Sequence, residues 1–151
     1  MGLNESARAR IGAPADQIFN LITDVARLPQ WNSAITDVVH APERLEGDAV
    51  WKVRIHAMGT SWVSRSELIR LDRTQRVFEY RSQSDDGNPS FADWTWRVSE
   101  DGDGALVDVD ADLNPKTFWR KHLLIRLRRP GLRKEMRASL TSLGELVAQS
   151  T

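Results

Sequence analysis

The chain has no cysteine, so it has no disulfide framework, no thiol nucleophile and no thiolate metal site. A reducing compartment fits that absence. No apolar run approaches the roughly 20 residues that a bilayer-crossing helix needs. The opening Met1-Gly2-Leu3-Asn4-Glu5-Ser6 lacks the charged and apolar regions of a secretory signal, and a cytoplasmic location is the expectation. No internal repeat, linker or low-complexity tract interrupts the 151 residues, which read as a single domain, residues 1–151. A chain of this length buries roughly 70% of its unfolded surface and needs no staples.

Net charge is absent as well, since 21 Lys/Arg balance 21 Asp/Glu. The balance conceals a split. Residues 116–151 carry nine Lys/Arg against Glu135 and Glu145, a surplus of seven positive charges that leaves an equal deficit in residues 1–115. The simpler reading is a solvated basic helix face beside an acidic sheet. The sharper one is peripheral contact with anionic membrane through Lys116–Arg137. Nucleic-acid binding would rest on that cluster alone, and the acidic remainder argues against it. Metal and cofactor signals are missing too. His40, His56 and His122 share no ligand spacing, and Asp101-Gly102-Asp103-Gly104 lacks the later ligands of a calcium loop. Asp108, Asp110 and Asp112 read as a solvated outer face. No phosphate loop or Ser-His-Asp set appears, so no cofactor is expected.

What the chain does have is alternation. Trp51, Val53, Ile55 and Ala57 share one face, with Lys52, Arg54 and His56 on the other. Ala92, Trp94, Trp96 and Val98 oppose Asp93, Thr95 and Arg97, and Ala105, Val107, Val109, Ala111 and Leu113 oppose Asp108, Asp110 and Asp112. Strands are expected at 5–11, 35–41, 49–58, 61–71, 76–82, 90–99 and 105–113, solvated on one side. Arg65, Arg81 and Arg97 fall on the charged face, where they can answer the aspartates across strands. A helix should open at Pro14 and run to Thr23, and a shorter one from Asp24 to Leu28 should stop before Pro29. From Pro115 to Ala148 the pattern turns helical. Leu132, Met136, Leu140, Leu143 and Val147 form an apolar stripe, and the phase of Phe118-Trp119 and Leu123-Leu124-Ile125 is less clear. Pro130-Gly131 should break or kink this stretch into pieces near 116–128 and 131–148. This order is α+β: an antiparallel sheet gripping a terminal helix, with a hollow between them.

Ile11-Gly12-Ala13-Pro14-Ala15-Asp16-Gln17-Ile18-Phe19, followed by Thr23-Asp24 and Leu28-Pro29-Gln30-Trp31-Asn32, resembles the opening of the START-like SRPBCC superfamily. More narrowly, it resembles the polyketide cyclase/dehydrase and lipid-transport group. Gly104-Ala105-Leu106-Val107-Asp108-Val109 is similar to that group's strand before the long C-terminal helix, with Ala105 where a Thr is usual. The resemblance covers nearly the whole chain. It implies a helix-grip fold: a curved antiparallel sheet of six to seven strands wrapped around the long C-terminal helix, with two short helices after the first strand and a ligand cavity between. Relatives include aromatic cyclases, lipid carriers and chaperone co-activators, so the fold does not carry a reaction by itself.

With the apolar face inward, the expected cavity lining is Trp51, Val53, Ile55, Trp62, Ser64, Ser66, Leu68, Phe78, Tyr80, Trp94, Trp96, Val107 and Val109. The terminal helix adds Leu132, Met136 and Leu140. Six tryptophans make a wall suited to a planar aromatic or polyunsaturated ligand; the competing reading is that they only fill the core. Catalysis would fall to Tyr80 as a donor, with Ser64 or Ser66 orienting it. Cyclising relatives imply cavity Arg and Tyr groups, but Arg65, Glu67 and Arg81 have outward parity, which only a β-bulge would reverse. Two functions follow. The first is binding or carriage of a hydrophobic small molecule, lipid-like or aromatic. The alternative is a polyketide cyclase, aromatase or dehydratase using Tyr80 and a buried Arg for proton transfer.

Overall fold

Period-two alternation builds a sheet whose two faces meet different surroundings. The structure, a computed structural model, describes residues 3–57, 59–116 and 125–149. Its strands are β1 (Leu3–Ile11), β2 (Ile35–His40), β3 (Val50–Ala57), β4 (Thr60–Asp72), β5 (Val77–Ser84), β6 (Phe91–Asp101) and β7 (Gly104–Asn114). They form one seven-stranded sheet in the order β1-β7-β6-β5-β4-β3-β2, every pair antiparallel. β1 and β2 therefore occupy opposite edges, and the chain between them crosses the inner face as helix α1 (Ala15–Ile22) and a 3-10 helix (Val25–Gln30). The terminal helix α2 runs Ile125–Gln149. This is the helix-grip architecture expected from the sequence.

α1 starts at Pro14, which stands at the N-cap with φ −59°, and Asp16 sits in its first turn against the positive end of the dipole. Its apolar side, Ile18, Phe19, Leu21 and Ile22, is buried. The hydroxyl of Thr23 donates to the Phe19 carbonyl at 3.0 Å where the helix ends. The second helix does not stop before Pro29; it continues through it to Gln30. Its bonds close three residues back, from Arg27 N–H to Asp24 O at 3.0 Å and from Trp31 N–H to Leu28 O at 3.2 Å. In so short a 3-10 element the missing proline donor forfeits only one such bond.

Outside, the charges pair across strands. Arg81 faces Asp93 in register and binds both its oxygens, at 2.7 and 3.0 Å. Arg8 takes Asp108, the residue opposite Arg97, while Arg65 reaches along its own strand to Glu67 at 3.6 Å. Such exposed pairs contribute about 0–1 kcal/mol each; their main effect is to mark the solvated face.

Inside, Leu132, Met136, Leu140, Leu143 and Val147 of α2 join Val107, Val109 and Ala111 in one core cluster. The helix lies against β1, whose inward Ala7 and Ala9 pack on that core. Two polar ties set its position. Glu5, 6% exposed, accepts from Arg133 at 2.9 Å. Ser33 N–H donates to Ser139 Oγ at 3.0 Å, and Ser33 Oγ donates to the Glu135 carbonyl at 3.1 Å. The expected break at Pro130-Gly131 is not found, because the helix runs unbroken through Pro130. A proline removes one main-chain bond and crowds the carbonyl four residues back, and the buried stripe beyond it holds the helix regardless. Residues 117–124, including Phe118, Trp119, Leu123 and Leu124 and the start of the expected 116–128 piece, lie outside the described residues.

The β6–β7 hairpin depends on Gly104. A Cβ there would stand 2.6 Å from the Ile11 carbonyl oxygen and 3.0 Å from the Arg10 guanidinium. Backbone at that distance cannot move aside alone, so Gly104→Ala is expected to destabilise by about 1–3 kcal/mol in urea unfolding. Gly131→Ala, in α2 with nothing within 4 Å, should instead stabilise by about 0.5–1 kcal/mol.

Candidate functional site

Between the middle of the sheet and α2 lies a hollow of about 430 Å³, within the range of cavities that take a drug-sized molecule. β3 contributes Trp51, Val53 and Ile55. β4 contributes Trp62, Ser64 and Ser66, and β5 contributes Tyr80, Ser82 and Ser84. Ala92, Trp94 and Trp96 come from β6 and Leu132, Glu135, Met136 and Ser139 from α2. Successive inward positions of neighbouring strands fall side by side, so register assembles the wall: Trp51 faces Ser66, Leu68 faces Tyr80 and Tyr80 faces Trp94.

The rings form a belt across the sheet. Tyr80 meets Trp51 edge-on at 5.2 Å and lies nearly parallel to Trp94 at 6.3 Å. Phe78 sits behind, 5.7 Å from Trp51 and 5.0 Å from Tyr80. Trp31 closes the corner after the 3-10 helix and packs at 89° on Trp96, centroids 5.3 Å apart. Contacts of this kind add about 0.5–1.5 kcal/mol each beyond the area they bury.

Two indoles are tied down by hydroxyls in the same way. Trp94 Nε1 donates to Ser82 Oγ and Trp96 Nε1 to Tyr80 Oη, each at 3.2 Å. In both pairs the acceptor lies two residues along β5 from the residue facing the indole, since Trp94 faces Tyr80 and Trp96 faces Phe78. Such diagonal neighbours lie within reach of long side chains. The rings are thereby fixed in orientation, and each hydroxyl keeps its own proton to donate elsewhere. Burial pushes the Tyr80 phenol up from 10 to about 12, and the Trp96 N–H opposes that only in part. Tyr80 is a neutral donor across the whole physiological range.

Not every expected lining residue reaches the hollow. Phe78, Val107, Val109 and Leu140 are buried in the core cluster behind it, and Leu68 packs against that cluster. Leu132 and Met136 belong to the same core cluster as Leu140, but they, with Glu135 and Ser139, also line the hollow and Leu140 does not. Arg65 and Arg81 stay outside. A bulge does occur in β4, between Leu68 and Arg70, but it ejects Ile69, 52% exposed, beyond Arg65 and Glu67, whose outward parity survives. Arg81 also stacks its guanidinium 3.9 Å over Phe91, a residue at the rim. Ser82 and Ser84 are lining residues that sequence reasoning missed; carrying the parity of Phe78 and Tyr80 two steps further would have found them. Of the basic stretch Lys116–Arg137, Arg133 is engaged by Glu5, and residues 117–124 lie outside the described residues. No described helix is long and apolar enough to cross a membrane.

The family model for polyketide cyclase / dehydrase and lipid transport matches residues 5–148. No curated protein sequence matches the chain. Among solved structures, a protein of Thermus thermophilus superposes with a TM-score of 0.79 at 18% identity, covering 99% of both chains. The Zhui aromatase/cyclase from a Streptomyces species gives 0.76 at 18% identity, covering 99% of this chain and 95% of the other. A START superfamily protein from Mycobacterium smegmatis gives 0.74 at 18% identity, covering 98% and 99%. At these identities the likeness is one of fold.

Tyr80 is the single tyrosine, which makes its state directly readable. Tyrosinate absorbance near 295 nm should stay absent in the folded protein well above pH 10 and develop toward about 12. The unfolded chain releases that proton near 10, so stability should fall as pH rises from about 10 to about 12. Tyr80→Phe should remove this part of the alkaline loss; ionisation with an ordinary midpoint in the folded protein would contradict the buried phenol.

Proposed function

We propose, for a chain that belongs to the polyketide cyclase / dehydrase and lipid transport family, that the hollow holds one hydrophobic small molecule, flat or aromatic, as a binding protein or carrier. The observation behind this reading is the lining itself: indole and phenol rings side by side on the sheet wall, with the hydroxyls of Ser64, Ser66, Tyr80 and Ser82 as the polar groups that the sheet places between them. No histidine, lysine or arginine lines it among the described residues. Flat apolar surface in such a slot gains on the order of 25 cal/mol for each Å² removed from water, and rings already locked by hydrogen bonds lose little freedom when the ligand arrives.

A second reading rests on Tyr80. A neutral, desolvated phenol whose oxygen already accepts from Trp96 can donate to a carbonyl or enolate oxygen, the step a cyclase or dehydratase requires. Arg65 and Arg81 do not join it, being outward and paired. The enzyme reading therefore has a donor in Tyr80, and the carboxylates on the lining among the described residues are Asp86 and Glu135.

The test uses N-phenyl-1-naphthylamine, whose emission rises in apolar sites. The protein is expected to bind it, and Trp94→Ala should weaken binding at least tenfold by removing one wall. Arg65→Ala, on the outer face, should leave it unchanged. Equal effects of the two substitutions, or no binding, would overturn the cavity reading. For the second reading, Tyr80→Phe should abolish turnover of a polyketide-like substrate while leaving its binding intact; turnover that survives the substitution would remove Tyr80 from any chemistry.

A further inference from the structure

We infer that the chain forms a homodimer by antiparallel pairing of β1 with β1 of a second copy, joining two sheets edge to edge. This surface lies outside the hollow and does not depend on what the hollow binds. The sheet has two edges, β1 and β2, and they are built differently. β2 is six residues long, and its pairing with β3 slips twice, between Ile35 and Asp37 and between Val38 and His40. Short, bulged edges resist pairing with another chain. β1 is nine residues long, and its ladder with β7 runs from Leu3–Leu113 to Ile11–Ala105 without a slip. It contains no proline and no lysine, so a regular strand presents its unpaired N–H and C=O groups along one side.

That side is open. Ala7 and Ala9 face inward yet are only half-buried, whereas their register partners on β7, Val109 and Val107, are 0% exposed. One strand further in the same layer is closed, so the access is at the β1 edge. α2 packs against β1 but leaves a groove beside it, bordered by Ala9, Gly12, Leu140 and Gly144.

The occupant is a second copy because β1 is complementary to itself. A two-fold axis at Ala7 pairs every residue from Leu3 to Ile11 with the same strand in reverse, and residues directly opposite share a face. On the outer face this sets Arg8 beside the second copy's Ser6 and Arg10 beside its Asn4, with no like charges opposed. Next to Ser6 on β7 stands Asp110, which has no ion pair or side-chain hydrogen bond among the described residues. Arg8 binds Asp108 with its side chain still 66% exposed, so its guanidinium can bridge its own Asp108 and the second copy's Asp110. That reach spans two strand spacings of about 4.8 Å. Lys52 on β3 makes a comparable one across β4 to Asp85, just past the end of β5, at 2.9 Å. Shifting the register by two residues leaves strand ends unpaired, and one such shift sets Arg8 against Arg8.

Sedimentation equilibrium reads the association directly: the mass should rise with concentration from that of one chain to that of two and no further. Ser6 is exposed, and Ser6→Arg sets a cation opposite the second copy's Arg8, where it can also take Asp110 within its own chain. This variant should raise the dimer dissociation constant at least tenfold while its far-UV circular dichroism is unchanged. Because the chain has no cysteine, a single introduced one reports the register. Ala7→Cys should oxidise to a disulfide-linked dimer, since residues directly opposite have Cα atoms about 4.5–5.5 Å apart. Ala9→Cys, about 14 Å from its counterpart, should not. A single-chain mass at every concentration, a dimer indifferent to Ser6→Arg, or cross-linking at position 9 rather than at position 7 would overturn the pairing.

Discussion

A sheet of seven strands is wider than one helix can cover. At about 4.8 Å per strand its hydrogen-bonded width approaches 29 Å, whereas a helix with its side chains is about 10–12 Å across. α2 settles against the β1 side, and α1, the 3-10 helix and the Trp31 corner cover more of the inner face. The inward residues of β3 to β6 are left facing a gap. Curvature of the sheet encloses that gap, and the hollow is the geometric remainder of an imperfect covering.

That remainder has to be kept open against collapse, and the structure shows how. The rings that would fall inward are tethered to the sheet by their own polar atoms, Trp94 to Ser82 and Trp96 to Tyr80. The helix that would slide over the gap is tied at Glu5–Arg133 and Ser33–Ser139. The indole ties join neighbouring strands, the helix ties join elements distant in sequence, and each is partly shielded from water, where a hydrogen bond holds geometry more firmly than on the surface. The outer ion pairs do none of this, which is why Arg65 and Arg81 matter little to the cavity despite their charge.

Much of this was legible in the residues. Period-two alternation from Trp51 to Val109 assigned faces correctly, because one solvated and one covered face impose a strict choice on every side chain. The Pro14 and Trp31-Asn32 motifs placed the short helices, and their resemblance pointed to the right superfamily. Depth was not legible. Parity says that Phe78 and Trp94 face inward alike, but only the three-dimensional packing decides that the first is buried in the core cluster while the second lines the hollow. The same limit hid the difference between Leu140 and Met136. Pro29 and Pro130 misled for a related reason: local propensity favours a break, and burial of the neighbouring apolar residues outweighs the one bond each proline forfeits. The indole–hydroxyl ties depend on diagonal register, which no single strand reveals.

The claim on which the rest turns is that this inner hollow admits one apolar molecule per chain. Native mass spectrometry tests it most directly, on the freshly purified protein and again after delipidation and exposure to a saturating flat aromatic such as N-phenyl-1-naphthylamine. The expected result is a single one-to-one adduct that survives gentle transfer and does not progress to higher stoichiometry. A spectrum showing only the bare chain in both states, or adducts that accumulate without a limit, would contradict it and return the tryptophans to the role of core packing.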